Sequence, residues 1–127
     1  MEDLFSMYNI EIKQAEKILL INVSGFIKMD EALNYMKDLK KHMAIIPNLK
    51  EYHLVINAKE QKTVTHDVQE VLGEAISIYV NTPFKSHHSI VLDSVTTKSQ
   101  ILRLGSNNIT SKFQCHDTLE EAFKHCQ

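Results

Sequence analysis

Two groups of side chains in this sequence could do chemistry. The first follows the apolar run Tyr52-His-Leu-Val-Ile-Asn-Ala58, where Lys62, Thr63, Thr65, His66 and Asp67 come in quick succession. Asn57 lies near the end of that run, and Asp93 closes a second one, Ser89-Ile-Val-Leu-Asp93. If both runs are strands of one parallel sheet, their carboxyl ends bring Asn57 and Asp93 to a common edge. A helix starting near His66 would add His66 and Asp67 to that edge. An imidazole beside a carboxylate can move protons, and a carboxylate at a helix start can present charge to a partner. Catalysis would need more than this, and the sequence has no nucleophile elbow, no Gly-rich phosphate loop and no His-Glu-x-x-His. The expected site is therefore a binding surface rather than a catalytic one. Thr65, His66, Asp67, Lys62 and Thr63 form it, with Asn57 and Asp93 as supports.

The second group is the seven histidines and two cysteines. Cys115-His116 and His125-Cys126 form a mirrored set of metal-ligand types. A helix beginning near Asp117 advances about 1.5 Å per residue and should carry the second pair ~12 Å or more from the first. Zinc bonds of about 2.0–2.3 Å cannot span that distance. His87 and His88 are strand neighbours and should point to opposite faces. His42 and His53 stand alone. No metal or cofactor is expected.

The elements that must position these residues follow from periodicity. Tyr8, Ile10 and Ile12 alternate with Asn9, Glu11 and Lys13, the pattern of an edge strand with one wet face. Ile18-Leu-Leu-Ile-Asn-Val23 is nearly unbroken apolar sequence, as in a strand covered on both sides, and Gly25 ends it. Leu33, Met36, Leu39 and Met43 recur at helical spacing from Asp30 to about Ala44, and Pro47 forbids continuation. Val68, Val71, Leu72, Ala75 and Tyr79 mark a second helix that ends before Pro83. Thr97-Lys-Ser-Gln100 has capping-box spacing for a short third helix that stops at Gly105. Lys112-Phe-Gln-Cys115 reads as a last strand, and Asp117-Thr-Leu-Glu120 opens a terminal helix with Leu119, Ala122 and Phe123. The order is β-β-α-β-α-β-α-β-α. It calls for a single α/β domain whose mostly parallel five-stranded sheet has its first strand as an antiparallel edge and carries about four helices. Residues 1–7 read as a loose leading segment.

At 127 residues, the chain has the length of one domain with one layered core. A formal charge of −2 removes any general attraction to phosphate backbones. Lys37, Lys40 and Lys41 share a helix with Asp30, Glu31 and Asp38 and read as a solvated face rather than a nucleic-acid site. No apolar run approaches the roughly 20 residues of a spanning helix. The acidic start and the low cysteine count give a cytoplasmic setting as the expectation.

The ordered pieces Lys17-Ile-Leu-Leu-Ile-Asn-Val-Ser-Gly25, Leu54-Val-Ile-Asn57, Ser89-Ile-Val-Leu-Asp93, and Ser111-Lys-Phe through Leu119-Glu-Glu-Ala122 together resemble the STAS domain of sulphate transporters and anti-sigma-factor antagonists. In the antagonist branch, Asp-Ser-Ser-Gly-Leu opens the second helix and its second serine is phosphorylated by a partner kinase. Laid without gaps from Ile56-Asn57, this sequence has Thr65-His66-Asp67-Val68-Gln69 at those positions, so Asp67 stands where the acceptor serine would be. The resemblance implies a non-enzymatic regulatory module that binds a protein partner, kinase-like or otherwise signalling, with a charge that is permanent instead of switched. A two-residue slip would make Thr65 the acceptor-like hydroxyl. Plain capping of the helix by Asp67 with Glu70, or by Thr65, would account for the same residues.

An alternative within the same fold is a domain for a small apolar ligand or lipid, with flexible methionines such as Met29, Met36 and Met43 lining a cavity between helices and sheet. Pairing of the exposed first strand with its copy would give a homodimer, although Lys13 and Lys17 blunt that edge.

Overall fold

The computed structural model describes residues 7–25, 27–61, 65–91, 113–116 and 118–126. Five strands form one sheet in sequential order: β1 (Met7–Lys13), β2 (Ile18–Gly25), β3 (His53–Gln61), β4 (Ser86–Val91) and β5 (Phe113–His116). β1 is antiparallel to β2, and the other pairings are parallel. Among the described residues there are three α-helices, α1 (Met29–Ala44), α2 (His66–Asn81) and α3 (Leu119–His125), and a 3-10 turn at Leu49–Glu51. The helix expected over Thr97 to Leu104 lies outside the described residues. None of the described helices is long and apolar enough to cross a membrane.

The β1–β2 hairpin turns at Gln14 to Lys17, where Lys17 takes φ 59° and its amide donates to the Gln14 carbonyl at 3.3 Å. Lys17 then ties the hairpin to β3 and to the 3-10 turn before it. Its carbonyl accepts from the His53 amide at 2.8 Å, and its ammonium meets Glu51 Oε1 at 2.5 Å. β2 ends at Gly25, whose φ of 74° suits a residue without Cβ.

Side chains alternate across the sheet, so each parallel strand is divided between two layers. α1 and α2 share one face. There Leu19, Ile21 and Leu54 pack with Tyr35, Met36 and Leu39 of α1 and with Ala75 and Tyr79 of α2. α3 covers the other face, where Ile18, Leu20, Val55 and Ile90 meet Ala122 and Cys126. Both layers of β2 are filled by its unbroken Ile18-Leu-Leu-Ile21 run, all four residues being buried.

Helix ends follow local chemistry. Glu31 in the first turn of α1 accepts from the Lys28 amide at 2.9 Å. The Thr82 hydroxyl donates back to the Ile78 carbonyl at 2.7 Å and closes α2 just before Pro83. Thr118 caps α3 by accepting from the Glu121 amide at 3.2 Å.

Several boundaries differ from the sequence expectation. Met7, expected in the loose leading segment, is already part of β1 and pairs with Ser24. β3 continues past Ala58 to Gln61, because its polar end still finds a ladder on Ser24 and Gly25 of β2. β4 begins at Ser86, before the apolar run, since His87 and His88 are accommodated in the pairing with β3. β5 runs on past Cys115 to include His116, which registers with Ile90, while Lys112 lies outside the described residues.

Candidate functional site

The first expected site is at the amino end of α2. Thr65 is the N-cap residue, and His66 and Asp67 form the start of the helix with their side chains in solvent. The cap is not made by Asp67, which sits inside the first turn. The Thr65 hydroxyl donates to Asp67 Oδ1 at 2.5 Å, and the same oxygen accepts from the Val68 amide at 3.0 Å. These bonds, the Thr65 hydroxyl first, hold the Asp67 carboxyl below its ordinary value, with backbone amides and the nearby His66 adding to the effect. The result is an ionised, exposed and oriented carboxylate at the positive pole of a 16-residue helix. His66 points instead toward Glu70, with Nε2 3.6 Å from Oε2.

The supporting residues are arranged differently. Asn57 lies within β3 rather than at its end, and its side-chain amide donates to Asn22 Oδ1 at 3.0 Å across the β2–β3 pair. Lys62, Thr63 and Asp93 lie outside the described residues.

A second constellation forms on the α3 side, near the amino ends of the parallel strands. His53 and Ser86 are the first residues of β3 and β4 and pair in register, and His88 follows two positions along β4 on the same face. His53 Nδ1 lies 2.5 Å from Ser86 Oγ, Ser86 Oγ lies 2.7 Å from His88 Nε2, and His88 Nδ1 lies 2.9 Å from His116 Nε2 of β5. One neutral tautomer set satisfies the whole row, each group donating to the next: His53 to Ser86, Ser86 to His88, His88 to His116. From α3, the His125 ring stands 4.8 Å from that of His116, and Cys126 is buried against the same face. One ligand atom each from His53, His88 and Cys126 lies within 4.8 Å of the others.

Electrostatics in the cluster favour neutral groups. Burial strips water from charged His88, and repulsion from His116, His53, His125 and His87 adds to that, so its pKa is pushed down to about 4. His53 is lowered too, by burial and then by Lys85, while burial raises the Cys126 thiol.

This arrangement corrects two sequence expectations. His53 is not alone, because strand pairing sets it beside Ser86 and within reach of His88. His116 and His125 are not carried apart, because α3 folds back over the sheet face and the two imidazole arms close the remaining gap. The expectation for His87 and His88 holds: His87 turns to the α2 side and donates from Nε2 to the Tyr79 carbonyl at 2.9 Å, while His88 faces α3.

Beside Cys126 opens a cleft of about 330 Å³ lined by Lys13, Glu16, Ile18, Phe123 and Cys126. It lies between the first hairpin and α3, and among the described residues no methionine lines it. Met36 is instead buried in the core beneath α1, and Met43 packs against it. No family model matches the chain, and no curated protein matches it.

Proposed function

We propose that the protein is a non-enzymatic regulatory module of STAS-like type that binds a protein partner through the amino end of α2. The observation that carries this reading is the Asp67 carboxylate, exposed and held ionised by Thr65 and the Val68 amide in the first helical turn. Negative charge is favoured at that pole, so Asp67 presents there a charge that a phosphorylatable hydroxyl would carry only after modification. Thr65 orients the carboxylate, and His66 with Glu70 forms the adjoining polar rim. Recognition is then set at synthesis instead of being switched.

Hydrogen exchange tests the location. A partner recovered by affinity capture on the full chain should slow exchange of the amides from Thr65 to Gln69. Protection confined to α3 or to β1, with that segment unchanged, would refute the reading.

A further inference from the structure

The histidine row under α3 lies near the amino ends of the parallel strands, separate from the surface proposed at the start of α2. A sheet face otherwise built of Ile18, Leu20, Val55 and Ile90 bears His53 and His88, and Cys126 covers them from α3. All three are buried, at 8% exposure or less. We propose that His53, His88 and Cys126 form a thiolate–imidazole site for one divalent transition-metal ion of the zinc class.

Three observations support this. The ligand set is complete in kind, because imidazole and thiolate are the donors that zinc and its neighbours take, whereas magnesium and calcium prefer oxygen. The ligand atoms also converge, all lying within 4.8 Å of one another before any ion is bound. A tetrahedral zinc ion sets roughly 3.3–3.6 Å between its ligand atoms, so binding draws these atoms together by about 1 Å. Access exists as well, since Cys126 lines the cleft beside Phe123 and Lys13.

On binding, Cys126 loses its proton to solvent and the thiolate offsets part of the ion's charge. His88 is bonded to Ser86 through Nε2 and to His116 through Nδ1, and it gives up one of these bonds to the metal. The bond it keeps fixes the ring. The fourth position is left to water. The ion would pin the seven-residue α3 to β3 and β4.

The test is a Co²⁺ titration of the full chain, stripped with chelator and kept reduced. Expected are one equivalent bound, a thiolate-to-cobalt charge-transfer band, intense tetrahedral d–d bands, and loss of all of these on adding one equivalent of Zn²⁺. Excess Mg²⁺ should change nothing. Cys126→Ser should abolish the charge-transfer band, Cys115→Ser should keep it, and His53→Gln should weaken binding about tenfold or more. Should Cys126→Ser not fold, alkylation of the wild-type chain gives the answer, since Zn²⁺ should slow modification of Cys126 on the order of tenfold. A folded wild-type chain without the charge-transfer band, a band that survives in folded Cys126→Ser, or Zn²⁺ that leaves Cys126 alkylation unchanged would each overturn the proposal and leave the row as hydrogen-bonded packing only.

Discussion

His88 makes stability depend on pH in a direction and range that can be worked out. Its side chain is wholly buried, and its pKa falls from 6.5 in the unfolded chain to about 4 in the folded one. Above pH 6.5 neither state holds the extra proton, and the full contribution is present. Between 6.5 and about 4 only the unfolded chain takes it up, so stability drains as pH falls. At about pH 5 the loss is some 1.5 units at about 1.36 kcal/mol each, or roughly 2 kcal/mol. Relaxation of the folded chain and water entry around a charged ring reduce this penalty, which brings the expected figure to roughly 1–2 kcal/mol. In urea unfolding with chelator present, that corresponds to a midpoint lower by on the order of 1 M at about pH 5 than at about pH 7.5. His53, lowered in the same direction, contributes a further part. His88→Gln removes the larger part, so its midpoint should move much less between the two pH values. Equal midpoints for the wild type at both pH values, or an undiminished drop in His88→Gln, would refute the reasoning.

Leu54 is fully buried where β3 meets α1 and α2, so Leu54→Ala should cost about 2–5 kcal/mol in urea unfolding. Tyr35 carries a buried hydroxyl with no hydrogen-bond partner among the described residues, so Tyr35→Phe should raise stability by about 1 kcal/mol, seen as a higher urea midpoint. Incubation with ATP and a serine/threonine kinase of the kind that modifies STAS antagonists should leave Thr63 and Thr65 unmodified, and intact-mass spectrometry should show no added phosphate.

The architecture was legible where local pattern and tertiary role agree. The alternation of Tyr8, Ile10 and Ile12 marked an edge strand, and Ile18 to Ile21 marked one covered on both faces. Asp67 was legible as a carboxylate in the first turn of α2, although Thr65 and not Asp67 holds the N-cap position, its hydroxyl bonded to Asp67 instead of to a helix amide. Boundaries at Ser86 and Gln61 were not, because polar residues continue those strands through pairing partners that periodicity does not see. The histidine row was missed for a related reason. His53, Ser86, His88 and His116 come from three strands, and only strand order and register bring them side by side. Treating α3 as a rod leading away from His116 omitted the requirement that Ala122 and Cys126 bury against the sheet, which turns the helix back over it. The one signal available was compositional: histidines opening two apolar strands, and a histidine–cysteine pair closing the chain.

The affinity of a captured, purified partner for the wild-type chain and for Asp67→Asn, measured side by side by calorimetry with both proteins shown to be folded, tests the recognition surface most directly. Removing the charge while keeping the side chain's shape should weaken binding at least about tenfold and flatten its salt dependence. Equal affinity and equal salt dependence for the two proteins would contradict the account.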